Sequence, residues 1–291
     1  MIKKTVAALL MSLSAAAMAL PLGSQNVLVV EDDTGKILLE KNATAQVPIA
    51  SLTKLMTAMV VLDARQDMNE IINIDKSDVD TLKHSVSRVP VGAAISRADV
   101  LQLALMSSDN RAAAALARTY PGGQAAFKRA VDLKIKALGL TNTVIEEPTG
   151  LSPHNVSTAA DLVKMANAAA KYDTIREIST ESKDVIKING RKVEYHNTNR
   201  LVGAKGWDIG MSKTGYTEEA GRCLIMRIKS AGRNATMVLL NAGASSARLM
   251  DALKIRKFIS GDDDKPVKTV KQSLRKKAPA SKTASKRRRA A

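Results

Sequence analysis

Residues 48–64 read "PIASLTKLMTAMVVLDA". From Leu52 to Leu62 the run is rich in Leu, Met, Ala and Val, with Lys54 its only charge, and it predicts a helix over 51–65 that heads into a core. A lysine on the first turn of such a helix, three residues after a serine, needs a reason. Positions i and i+3 share a helix face, so Ser51 and Lys54 point into the same space. A serine hydroxyl is a poor nucleophile until a base takes its proton. A lysine moved out of water, or set near another cation, holds its proton weakly enough to be that base. Backbone N–H groups at the start of the helix can stabilise a developing oxyanion. A helix-capping serine beside a solvated lysine also accounts for the pair, and roughly one S-x-x-K match arises by chance in a chain this long. A second match, Ser273 and Lys276, lies near the C-terminus.

Two distant segments change the weight of that pair. "SSDN" places Ser108 and Asn110 in a break between the helical runs "RADVLQLALMSS" and "NRAAAALARTY". "SKTG" places Lys213, Thr214 and Gly215 at the end of a strand-like run, before a turn. K-T-G is expected well under about once per chain; S-x-N says less, since Ser24 and Asn26 also match it. In the order S-x-x-K, S-x-N, K-T-G the three form the signature of serine acyl-transferases. Two lysines near one serine favour an anionic substrate, and each is expected to depress the other's pKa. Histidine triads find no support: His84, His154 and His196 are scattered and no G-x-S-x-G occurs. The same scatter excludes a zinc-type cluster, so no metal or cofactor is expected. Cys223, the single cysteine, excludes an intramolecular disulfide and reads as a buried, inert thiol in "GRCLIMRI".

The 291 residues are 45% apolar and only 2% aromatic, enough for one domain or two lobes sharing a core of Ala, Leu, Ile, Val and Met. "NVLVVEDDTGKILLEKN" (26–42) reads as a hairpin around Asp33-Thr34-Gly35. Helical patterns follow at 97–108, 110–120, 122–139 and 157–172. The period then shifts to strand-like runs at 184–195, 206–213, 221–229 and 234–241, and a last helix covers 245–260. The early hairpin is expected to join the late strands in one sheet. This gives an α+β body with a helical lobe (about 66–170) inserted into it.

The ends carry different signals. "MIKKTVAALLMSLSAAAMALPLG" has a basic start, an apolar stretch from Val6 to Leu13 and the small-x-small site Ala17-Met18-Ala19, so residues 1–19 read as an export signal, with a membrane anchor as the alternative. Residues 265–291 hold eleven Lys or Arg and no acid, so of the net charge of +17 the rest of the chain carries +6. The stretch 262–291 is too poor in apolar residues to fold alone. It lacks the aromatics that stack on bases, and behind an export signal an anionic membrane or envelope polymer suits it better than nucleic acid. A solvated tail is the other reading.

Five segments in order, "PIASLTKLMTAMVVLDA", "LALMSSDNRAAAALA", "EPTGLSPHNVSTAADLVKM", "HNTNRLV" and "MSKTGYTEEAGRCLIM", resemble the low-molecular-mass penicillin-binding proteins over about residues 26–258. The resemblance implies the penicillin-recognising serine transpeptidase/β-lactamase-like fold, an antiparallel sheet flanked by helices plus an all-helical lobe. It implies an exported, periplasmic peptidoglycan D,D-endopeptidase, with a catalytic domain of residues 20–261, that hydrolyses D-Ala-containing cross-links through a serine acyl-enzyme and that β-lactams acylate. By motif, Ser51 is the nucleophile and Lys54 its base. Ser108 relays a proton to the leaving amine, Asn110 binds the substrate backbone, Lys213 polarises Ser108 and with Thr214 holds the substrate carboxylate, and Gly215 and Tyr216 complete the substrate-binding residues. The N–H groups of Ser51 and Tyr216 form the oxyanion hole. A D-Ala-D-Ala carboxypeptidase is one alternative to the endopeptidase reading and a non-catalytic envelope-binding protein another. A class A β-lactamase is a third, with Glu147 as the residue activating water. Trp207 reads as a strand-edge core residue rather than a sugar platform, and Arg222 and Arg248 are not distinguishable from solvated arginines. Deleting residues 265–291 is expected to weaken salt-sensitive association with anionic envelope fractions while penicillin acylation persists. Cosedimentation at low and high salt checks this.

Overall fold

The computed structural model describes residues 20–261; the expected export signal (1–19) and basic tail (262–291) lie outside them. The chain opens with the hairpin β1 (Ser24–Glu31) and β2 (Ile37–Lys41), then a short β3 (Val47–Pro48). A 3-10 turn, Ala50–Thr53, runs into α1 (Lys54–Asp63). A small ribbon, β4 (Ile71–Asn73) with β5 (Ala94–Ser96), precedes α2 (Arg97–Leu105), α3 (Asn110–Arg118) and α4 (Gly123–Ala137). Next come β6 (Val156–Ser157), which pairs with β3, then α5 (Ala159–Ala169) and α6 (Asp173–Thr180). The ribbon β7 (Lys183–Ile188) and β8 (Arg191–His196) leads to β9 (Asp208–Thr217), β10 (Gly221–Ser230), β11 (Arg233–Ala242) and α7 (Ser245–Ser260).

The main sheet is antiparallel, in the order β2-β1-β11-β10-β9. The early hairpin joins the late strands through β1 and β11, where Val27 lies opposite Leu239 and Val29 opposite Met237. One face of the sheet packs against α5 and the 3-10 turn before α1, the other against α7, so both faces are dry and the central strands read as near-continuous apolar runs. Two of the predicted strand boundaries differ. The run at 184–195 turns at Asn189-Gly190, both with positive φ, and forms its own two-stranded ribbon instead of joining the sheet. The K-T-G motif does not end its strand: β9 continues to Thr217 because β10 stays paired with it as far as Gly221.

The opening helix also differs in detail. Ser51 sits in the 3-10 turn, and the α-helix begins at Lys54. Every residue from Lys54 to Val61 is buried, with α2, α3, α4 and α5 packed around α1. That all-round burial explains why the segment shows no polar face. Side-chain caps set the starts of α2, α3 and α5. Ser96 accepts from Asp99 N, Asp109 from Ala112 N and Thr158 from Asp161 N. None of the described helices is long and apolar enough to cross a membrane.

Buried Asp251 on α7 ties the sheet to that helix. It accepts from the backbone N–H groups of Gly23 (3.0 Å) and Ser24 (2.7 Å) and from Ser24 Oγ (2.7 Å). Asp251→Ala strands these donors and is expected to lower the unfolding free energy by about 2–3 kcal/mol, as measured by urea denaturation.

Candidate active site

Ser51 lies where the 3-10 turn meets β9. A Cβ on Gly215 would stand 3.0 Å from Ile49 O and 3.1 Å from Ser51 N, so a side chain there would press on the turn that carries the serine. Ala50, just before the serine, has φ +47, a conformation that costs an L-residue about 1–2 kcal/mol. Ser108 has φ +61 in the loop that Asp109 closes by capping α3. The strained backbone thus sits on both sides of the site and is held by packed elements.

Lys54 is 1% exposed. Its Nζ donates to Ser51 Oγ (2.9 Å), Asn110 Oδ1 (2.7 Å) and Thr149 O (2.6 Å). Burial pushes its pKa down to about 8, while the carboxylates of Glu147, Asp109 and Asp80 pull the other way. An ammonium has three donors, and all three are used here. A neutral amine keeps two N–H groups for Asn110 and Thr149 and turns its lone pair to Ser51 Oγ. The other lysine, Lys213, is also buried. It donates to Ser108 Oγ (2.8 Å) and Thr214 O (3.1 Å), and burial, then the charges of Lys54 and Arg248, hold its pKa well below the usual lysine value. The two lysines do not depress each other equally: carboxylates surround Lys54 and support its charge, whereas Lys213 faces only cations.

Motif residues far apart in sequence therefore converge on one cleft of about 530 Å³, whose lining includes Ser51, Ser108, Asn110, Thr214, Gly215 and Tyr216. Arg200, Arg222 and Arg248 line it too, with no acidic residue among the lining groups. The Arg222 guanidinium lies 3.3 Å over the Tyr216 ring, and Arg248 Nη1 donates to Cys223 O (3.0 Å). The Cys223 thiol is buried, and burial pushes its pKa up to about 11, so it stays protonated.

Several contributors carried no recognisable chemistry in the sequence. Thr149 supplies a carbonyl, which any residue could do. Ser85 Oγ accepts from Asn110 Nδ2 (2.8 Å), fixing the amide so that its oxygen meets Lys54. Thr198 and Asn199 brace β9 through Thr214 Oγ1 (2.6 Å) and Ser212 Oγ (2.8 Å); their segment, "HNTNRLV", was visible only as a resemblance. Glu147 is occupied by its own loop. Its carboxylate accepts from the N–H groups of Thr149 (2.7 Å), Gly150 (2.6 Å) and Leu151 (2.8 Å) and from Thr149 Oγ1 (2.6 Å). A carboxylate committed to shaping a turn is poorly suited to activating water. Trp207 is half-buried just before β9, packed against the α7 side of the core with Arg256 4.6 Å over its ring.

The sequence profile of the D-alanyl-D-alanine carboxypeptidase family matches residues 13–244. The chain belongs to this family of serine-type D-Ala-D-Ala peptidases. It is 44% identical to a D-alanyl-D-alanine endopeptidase of Pseudomonas aeruginosa, over 82% of this chain and 77% of that one. It is 41% identical to a D-alanyl-D-alanine endopeptidase of Escherichia coli K12, over 89% and 84%. The crystal structure of the Streptomyces K15 DD-transpeptidase superposes with a TM-score of 0.76 at 27% identity, covering 82% of this chain and 97% of that one. The predicted penicillin-recognising α+β fold is the fold observed.

Gly150 tests how the site is held. Its φ is +86, and a Cβ there would stand 2.0 Å from Ala50 O, backbone that cannot give way. Gly150→Ala is expected to cost more than about 2 kcal/mol of stability and, by shifting Ala50 and Ser51, to slow acylation of the folded fraction. Calorimetry and stopped-flow β-lactam acylation separate the two effects.

Proposed function

We propose that this protein is a D-alanyl-D-alanine endopeptidase that opens D-Ala-containing cross-links in peptidoglycan through an acyl-enzyme on Ser51. The observation that carries the reading is the buried Lys54, whose two fixed acceptors, Asn110 Oδ1 and Thr149 O, leave the third position of Nζ facing Ser51 Oγ at 2.9 Å. Neutral Lys54 takes the serine proton as Oγ attacks the D-Ala carbonyl carbon. The oxyanion forms against the N–H groups of Ser51 and Tyr216, which Gly215 lets approach each other. Ser108, hydrogen-bonded to Lys213, hands a proton to the leaving amine, and the carboxylate beside that amine settles among Thr214, Arg200, Arg222 and Arg248. Water then hydrolyses the ester. Asn110 orients Lys54 as well as standing in the cleft where the substrate backbone passes. The more similar relatives are endopeptidases, which favours that activity over the carboxypeptidase one. The export signal read at residues 1–19 supports a periplasmic site of action, and the basic tail a peripheral association with anionic envelope material.

Incubation with purified cross-linked and uncross-linked muropeptides, followed by mass analysis, tests this. Conversion of dimers to monomers is expected, and Ser51→Ala abolishes it. Loss of a terminal alanine from monomers without dimer cleavage would make the protein a carboxypeptidase instead. The acylation rate is also expected to follow the neutral fraction of Lys54. It rises by about tenfold per unit below pH 8 and levels above it, because the depressed pKa releases the proton on that side. A rate profile with a fixed β-lactam between about pH 6 and pH 10 checks this.

A further inference from the structure

One peptide group joins Lys54 to a carboxylate. The Thr149 carbonyl accepts from Lys54 Nζ (2.6 Å), and the Gly150 N–H of the same peptide unit donates to Glu147 Oε1 (2.6 Å). A peptide polarised at both ends binds each charge more strongly than it would bind one alone. Glu147 therefore acts on the lysine without touching it.

The carboxylate itself is fixed. It accepts from six neutral donors: the N–H groups of Thr149, Gly150, Leu151 and Ser152, Thr149 Oγ1 and Asn155 Nδ2. An ionised carboxylate is an acceptor only, and every partner here is a donor. None of these partners is a cation, so none of them neutralises the carboxylate. The loop is also tied to the elements that carry Ser51 and Lys54. Asn155 Nδ2 donates to Thr53 Oγ1 (3.2 Å), Thr53 Oγ1 donates to Ala50 O (2.8 Å), and Thr57 Oγ1 donates to Pro148 O (2.7 Å). A neutral oxygen could cap some of the loop N–H groups; a charged one also bears on the lysine. Charged groups face Lys54 from the other elements packed around it. Burial disfavours its ammonium, while Glu147, then Asp109 before α3 and Asp80 between β4 and β5, favour it. Lys213 on β9 is the neighbouring cation.

We propose that Glu147 is a positioning residue for the acylation of Ser51, holding the Thr149 carbonyl on Lys54 Nζ through the Thr149–Gly150 peptide group. The role rests on the serine-peptidase reading of Ser51 and Lys54, and adds to it a residue that sets both the direction of the base and the pH at which it gives up its proton.

Stopped-flow acylation of the full chain by a fixed β-lactam, between about pH 5 and pH 10 and normalised to the penicillin-titratable fraction, tests this. Glu147→Gln removes the charge and keeps the length of the side chain. Its rising limb is expected about one unit below that of the unchanged protein, because the ammonium loses its largest support. Its plateau is expected to be about tenfold or more lower, because the carbonyl that aims Nζ is held less firmly. Glu147→Asp keeps the charge and shortens the reach, so its plateau falls while its limb stays. The direction of the shift separates this role from a structural one. A loop that merely opened would wet Lys54, relieve its burial and move the limb up. A limb for Glu147→Gln at or above that of the unchanged protein overturns the proposal, and so does a limb for Glu147→Asp that falls as far as that for Glu147→Gln. If the Glu147→Gln chain does not fold, Glu147→Asp decides: an undiminished plateau overturns the proposal, and a lowered plateau with an unmoved limb supports it. Absence of a penicillin adduct on the unchanged chain overturns the serine-peptidase reading, and the role of Glu147 with it.

Discussion

One buried ammonium holds this molecule's working parts together. Lys54 Nζ bonds a side chain from the 3-10 turn, a side chain from the start of α3 and a carbonyl from the loop before β6. Removing a lysine from water is costly, and the cost is offset only when every donor finds an acceptor. The elements that supply those acceptors are therefore constrained together. The helical lobe cannot move Asn110, nor the loop Thr149, without leaving part of the charge unmatched. The same burial weakens the lysine's hold on its proton, so the force that orders the site also favours the role of base proposed for it.

Around that centre the backbone is in unfavourable conformations that packing sustains. Ala50 and Ser108 both adopt positive φ, Gly150 allows a contact no side chain would permit, and Gly215 allows a tight one. Glu147 shapes the Gly150 turn by accepting its N–H groups, and Asn155 Nδ2 reaches across to Thr53 Oγ1 (3.2 Å). Behind these contacts α1 is buried on all sides and the sheet is dry on both faces, a rigid support for the proposed nucleophile, which needs fixed geometry. The charges divide by function. Three arginines and no acid line the cleft, and the two lysines beside it, Lys54 and Lys213, are dry.

Much of this was legible in the chain itself. The order of S-x-x-K, S-x-N and K-T-G named the chemistry, because those residue types in those local settings recur rarely by chance. Period and turn residues located the hairpin, most helices and the late strands. The sequence also placed Ser51 and Lys54 three apart on one face, which local geometry alone decides.

Tertiary structure decided the rest, since each remaining feature depends on residues that meet only after folding. Whether Lys54 is solvated or dry depends on α2 to α5 closing around α1. The unequal shifts of the two lysines depend on which carboxylates end up nearby. The separation of the β7–β8 ribbon from the sheet, and the run of β9 through K-T-G to Thr217, are set by partner strands that period-two patterning does not identify. The Thr149 carbonyl and the Ser85 brace leave no mark in composition or spacing, because a main-chain oxygen and a lone serine look the same wherever they occur. The residues named a reaction, and the fold chose which of them stand close enough to carry it out.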